Sequence, residues 1–114
     1  GCGAGYEYLA VTPKGELYPC HQFVGREDFL LGSVWDGVTN QGLPPKFKDA
    51  HVLNSPICRE CWAKYYCSGG CVKNNLEAAA SFQGVDELSC NLEKKRLECA
   101  FYIQACSQTS YQWE

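Results

Sequence analysis

CRECWAKYYCSGGC, residues 58 to 71, carries four thiols spaced C-x2-C-x5-C-x3-C. Two thiolates separated by two residues can bite one metal centre, because a tight turn brings both sulfurs to one side. Ser68-Gly69-Gly70 has little side-chain bulk, so the backbone there can pass close to a metal group and aim N–H groups at sulfur. Working outward, Cys2 and Cys20 flank Gly15 upstream, and Cys90 follows downstream. Seven of the nine cysteines thus fall into one pattern. A buried thiolate is costly unless a metal or another charge compensates it. The pattern reads first as a metal or iron–sulfur scaffold.

Three chemistries compete for these thiols. Zinc accepts four sulfurs tetrahedrally, and a cubane iron–sulfur cluster accepts four, one per iron. Spacing favours clusters: seven patterned thiols stand one short of two four-cysteine sites, only one C-x2-C knuckle is present, and the glycine pair suits a bulky group. The third chemistry is a disulfide framework. Nine cysteines leave one unpaired, and the close C-x2-C pair suits chelation or redox chemistry better. A reducing, cytoplasmic setting is the expectation.

The remaining composition narrows the partners. The net charge is −3 and no basic run occurs, which argues against nucleic acid or an anionic membrane surface. No apolar stretch approaches the ~20 residues of a spanning helix, and no signal peptide opens the chain. The 114 residues suffice for one small domain with a modest core. The chain starts Gly-Cys-Gly and has no methionine, which reads as a piece of a longer protein.

Local patterns predict a small α+β fold: an N-terminal β-hairpin, metal-binding loops, then helices. Tyr6 to Val11 and Glu16 to Cys20 read as strands around the turn Thr12-Pro13-Lys14-Gly15. Phe29 to Trp35, ended by Asp36-Gly37, adds an edge strand. Asn40 to Pro45 is a loop, Pro44-Pro45 opens a short helix over Lys46 to His51, and Val52 to Ile57 is a loop. Val72, Leu76 and Ala79 at i, i+4 and i+7 predict a helix over Val72 to Ala80, with Gly84 ending the segment after it. Asn91 to Ala105 is the strongest helix. Without repeat or linker, residues 1–114 read as one domain.

The full pattern, C-x12-G-x4-C, then C-x2-C-x5-C-x3-C, then Cys90, resembles the seven-cysteine signature of SPASM domains. These are C-terminal extensions of radical SAM enzymes that hold two auxiliary 4Fe–4S clusters. YLAVTPKGELYPCHQFVG, CWAKYYCSGGC and NLEKKRLECAFYIQA are most similar to the maturases of cysteine-rich SCIFF peptides, which form thioether links from a peptide cysteine. Anaerobic sulfatase maturases share the cysteine pattern. The resemblance implies that Cys58, Cys61, Cys67 and Cys90 hold auxiliary cluster II, and that Cys2, Cys20 and Cys71 hold auxiliary cluster I. The fourth ligand of cluster I is then either an upstream residue or a substrate thiolate. The implied partners are the parent's radical SAM barrel and a Cys-rich substrate peptide, with a role in substrate binding and electron transfer. S-adenosylmethionine would belong to the full-length parent. The cleaving signature C-x3-C-x2-C is absent here: Cys67 and Cys71 give C-x3-C, but Asn74 stands where the third cysteine is needed. A structural zinc-binding interaction module, or zinc taken up in an aerobic preparation, is the alternative outside this family.

The other chemistry-bearing residues receive plainer readings. Cys99 and Cys106 lie seven apart on one helix face with Leu92 and Ile103 and read as small buried hydrophobes. His21, next to Cys20 in a strand, would point away from it to a surface or a substrate. His51 reads as solvent-facing and unpartnered. Trp62, Tyr65 and Tyr66 read as core, or as bulk keeping water from a cluster. Glu93 to Glu98 reads as a solvated helix face with Asn91–Lys95 and Lys94–Glu98 pairs.

Overall fold

The computed structural model describes residues 1–111. Gly3 and Gly5 lie at φ 77° and 83° and fold the first residues back on themselves. The N–H groups of Tyr6, Glu7 and Tyr8 all point to the Gly3 carbonyl, at 3.2, 2.8 and 2.9 Å. Those donors are then not free for a strand ladder, so Tyr6 to Leu9 is a turn and strand β1 is only Ala10–Val11. Strand β2, Glu16–Tyr18, pairs antiparallel with it, Ala10 opposite Tyr18 and Val11 opposite Leu17. The expected turn closes this hairpin: Gly15 N–H donates to Thr12 O at 2.9 Å, with Gly15 at φ 80°. A side chain there would also strike the Trp35 ring, 2.5 Å from its Cζ3.

The sheet continues beyond the expected hairpin. Only Gly32–Ser33 of the Phe29 to Trp35 run forms a strand, β3, and it pairs with β2. It is not an edge, because β4, Gly37–Val38, pairs outside it. Asp36 turns the second hairpin, its N–H on Ser33 Oγ at 3.1 Å and its carboxylate accepting that hydroxyl at 3.0 Å. The result is a four-stranded antiparallel meander, β1-β2-β3-β4.

Helix α1 spans Leu43–Lys48. It starts before the expected Lys46 because Pro44 and Pro45 fit the first turn, where no N–H is needed, and it stops short of His51. Two one-turn helices, α2 at Pro56–Arg59 and α3 at Lys64–Cys67, lie where loops and turns were expected. Helix α4 is Val72–Ala79, and Ala80 at φ 52° ends it with its N–H on Leu76 O at 2.8 Å. Helix α5, Glu87–Tyr111, begins four residues before Asn91 and continues past Ala105. Among the described residues no helix is long and apolar enough to cross a membrane.

Four phenylalanines link the sheet side to the helices. Phe23 lies 4.5 Å from Phe29 and 5.4 Å from Phe47 between ring centroids, and Phe47 lies 5.1 Å from Phe82. Leu17, Tyr18, Leu31, Leu43 and Cys20 complete this core, with Val72 and Leu76 of α4 packed against it. The aromatics between the cysteines are not part of it. Trp62, Tyr65 and Tyr66 are 53, 73 and 63% exposed. Trp62 and Tyr66 meet Phe101 of α5 at 6.4 and 5.3 Å instead. Beyond Leu97 every described residue of α5 up to Gln108 is exposed, so Cys99 and Cys106 are surface residues and not buried ones. A seven-residue spacing marks a helix face but cannot by itself bury it.

Phe47 is 3% exposed and touches Phe23, Phe29 and Phe82. Phe47→Ala should cost about 3–5 kcal/mol, the usual range for deleting a core aromatic. Measured by urea denaturation, that loss would bring a domain of ~5–15 kcal/mol total stability close to unfolding.

Candidate metal centre

The seven patterned cysteines divide between two cavities. Cys58, Cys61, Cys67 and Cys90 line one of 620 Å³, bounded by α2, α3 and the start of α5. Cys2, Cys20 and Cys71 line another of 490 Å³, between the first turn, the end of the hairpin and the start of α4. No cysteine belongs to both, and Gly70 lines both.

Local folding explains each position. Pro56 starts α2 and presents Cys58 in its single turn. Cys61 N–H then donates to Cys58 O at 3.0 Å, and Ala63 N–H donates to Cys61 Sγ at 3.4 Å. This is the tight turn that C-x2-C spacing favours, with a backbone donor on one sulfur. Cys67 ends α3. Ser68, Gly69 and Gly70 follow at φ 60°, 93° and 76°, a left-handed run that turns the chain away before Cys71. Cys71 is the residue capping the start of α4, its carbonyl accepting Asn75 N–H at 3.0 Å. Cys90 lies inside the first turns of α5, its N–H already bonded to Asp86 O at 3.0 Å.

The electrostatics agree with the four-thiol grouping. Burial pushes the Cys90 thiol above its ordinary value, Cys58, Cys67 and Cys61 push it the same way, and Lys94 opposes them. Among the described residues, no three His, Cys, Asp or Glu side chains gather tightly enough for a single metal ion. Thiolate is a donor that zinc and iron–sulfur clusters both accept, so the residue types of the two sets suit either.

Cys20 is not in a strand. It caps a 3-10 turn, His21–Phe23, and His21 lines the three-thiol cavity. His51 is exposed as expected but has a partner, Asn54 Nδ2 at 3.1 Å. On α5 the charge pairs are Arg96–Glu93 and Lys95–Glu98, both 2.6 Å and i, i+3, in place of the expected i, i+4 pairs.

Two polar residues were missed. Asn75 is 8% exposed, its amide donates to Gly69 O at 2.9 Å, and its oxygen accepts Asp86 N–H at 2.9 Å. One side chain therefore ties the left-handed run between the cavities to the start of α5. Its position carried a signal: it stands at i+3 from Val72 and beside Leu76, an amide on the apolar face of α4. The other is Gln22, whose amide donates to Cys71 Sγ at 3.7 Å across 49 residues. No local spacing could have indicated that contact.

No protein-family model and no curated protein matches this chain.

Two outcomes test this geometry. Asn75→Ala should destabilise the chain by about 1–3 kcal/mol, since it strands a carbonyl and an N–H, as read by urea denaturation. The raised Cys90 value sets a pH dependence for the metal-free chain. In the window above the ordinary thiol value the folded form holds more protons than the unfolded one, so stability falls as pH rises. The contribution is fully present below the unfolded value and lost as pH climbs through the raised folded one. Metal-free chain should melt lower at alkaline pH than at neutral pH, and Cys90→Ala should flatten that slope.

Proposed function

We propose that this chain is an auxiliary iron–sulfur domain that carries two 4Fe–4S clusters for a radical SAM peptide maturase. The observation that carries the reading is the partition of seven thiols into a four-thiol and a three-thiol cavity, in the same membership that the SPASM resemblance implies. Cys58, Cys61, Cys67 and Cys90 would hold auxiliary cluster II, and Cys2, Cys20 and Cys71 auxiliary cluster I.

A bound 4Fe–4S cluster supplies a one-electron carrier. The residues of this chain do the rest. The thiols fix its place, Ala63 N–H stabilises the charge on Cys61 Sγ, and Lys94 offsets negative charge near Cys90. Trp62 and Tyr66, next in sequence to Cys61 and Cys67, meet Phe101 and so tie the four-thiol turns to α5. Cys2, Cys20, Cys71 and His21 line the three-thiol cavity, and a substrate thiolate or His21 would complete cluster I. Thioether formation on a Cys-containing peptide is the proposed reaction of the parent, in the cytoplasm, with a sulfatase-maturing parent as the alternative.

Anaerobic reconstitution with iron and sulfide tests the reading. The chain should take up about eight irons with matching acid-labile sulfide, two cubanes. Cys90→Ser should retain about four, because it dismantles only one ligand set. Zinc bound without sulfide would support a structural zinc module instead. Loaded chain given S-adenosylmethionine and a strong reductant should form no 5′-deoxyadenosine, since the cleaving motif is absent. Turnover above a cluster-free control would contradict the auxiliary role.

A further inference from the structure

We propose that Gln22 is the positioning residue of the three-thiol site, holding Cys71 Sγ by its side-chain amide and raising the reduction potential of the cluster bound there. The proposal rests on the iron–sulfur reading above and goes beyond ligand identity to what tunes one site against the other.

The contact joins two distant parts of the chain. Gln22 Nε2 donates to Cys71 Sγ at 3.7 Å, within the reach expected for a sulfur acceptor. Gln22 sits between a ligand and an anchor. Cys20 caps its 3-10 turn, with Phe23 N–H on Cys20 O at 3.1 Å. Phe23 is 1% exposed and locked against Phe29 and Phe47. The backbone that carries Gln22 therefore cannot drift from Cys20, and the amide measures the gap from Cys20's turn to Cys71. Cys71 itself is fixed only through the start of α4 and the left-handed run before it. The hydrogen bond aligns the third thiol with the other two.

The same bond has an electronic consequence. Adding an electron to a cluster increases the negative charge on its sulfurs. An N–H aimed at a ligand sulfur stabilises that charge more in the reduced form than in the oxidised one, so the potential rises. Glutamine suits this task because its amide is a donor at every working pH and adds no net charge. In the four-thiol cavity the corresponding donor is a backbone group, Ala63 N–H to Cys61 Sγ. Side-chain substitution at Gln22 leaves that donor untouched, which makes the second cluster an internal control.

The test is a potentiometric titration of the reconstituted chain, with both reduced clusters followed by electron paramagnetic resonance. Gln22→Leu keeps similar bulk without a donor and should lower the midpoint of one cluster while the other stays put. Gln22→Met keeps the length of the side chain without a donor and should lower that same midpoint too. A purely structural role predicts poorer loading with the midpoint of the loaded fraction unmoved. If Gln22→Leu fails to load the three-thiol site, the midpoint of Gln22→Met decides. Full loading with unmoved midpoints in both variants overturns the Gln22 assignment and leaves the iron–sulfur reading intact. Parent chain that binds no sulfide-bearing iron overturns that reading and this one together.

Discussion

The left-handed run Ser68-Gly69-Gly70 is the constraint on which the two-cavity arrangement depends. Cys67 and Cys71 are separated by three residues, and a helix continuing from α3 would leave both sulfurs on one face. Three consecutive positive φ angles prevent that. They close α3, redirect the chain, and let α4 start with Cys71 facing the second cavity. The requirement is on dihedral angle more than on space. A Cβ on Gly69 would find its nearest atom, Val52 Cγ1, at an ordinary 3.4 Å, and one on Gly70 would meet nothing nearer than 4.0 Å. An L-residue at either place pays in backbone conformation. Ser68 already tolerates φ 60° at the end of α3.

Asn75 makes that run rigid. A buried amide is stabilising only when its polar atoms are satisfied, and here the donor and the acceptor each have a partner on a different element. Its oxygen fixes Asp86, whose carbonyl holds Cys90 N–H. The path from Gly69 through Asn75 and Asp86 to Cys90 thus links the boundary between the cavities to the farthest thiol of the four-thiol set. The phenylalanine core does a different job. It fixes the hairpin, the Cys20 turn and α4, while the segment from α2 to α3 has few buried apolar side chains, Ala63 chief among them.

What the sequence reveals about this fold depends on how local each cause is. The Thr12–Gly15 turn, the α4 pattern and the α5 composition act over a few residues, and the hairpin and both helices stand close to where those signals put them. Tyr6 to Leu9 looked like strand from its apolar content, but Gly3 O captures three successive N–H groups, and a carbonyl's competition is invisible in side-chain propensity. Trp62, Tyr65 and Tyr66 looked like core because aromatics usually bury in small domains. The phenylalanines 23, 29, 47 and 82 fill that space from four separate segments, and only tertiary packing decides between the two groups. The gathering of Cys58, Cys61 and Cys67 on one cavity is legible because local turns build it. Gln22 is not, since its bond spans 49 residues.

The two thiol sets also differ in how they are built. Three of the four thiols of the larger cavity lie between Cys58 and Cys67, within α2, the Cys61 turn and α3. Bringing them together closes only short loops, and Cys90 is then delivered by Asp86 and the first turns of α5. The smaller cavity takes one thiol each from the N-terminal turn, the hairpin and α4, so its assembly must close much longer loops, at an entropic cost that grows with their length. The fold offsets that cost with the phenylalanine core, which holds Phe23 of the Cys20 turn and packs Val72 of α4 against it. The core is therefore the scaffold of the three-thiol site, whereas local turns are the scaffold of the four-thiol site. A chain that loses core packing should scatter the three-thiol set while the four-thiol set still has three of its cysteines in sequence reach.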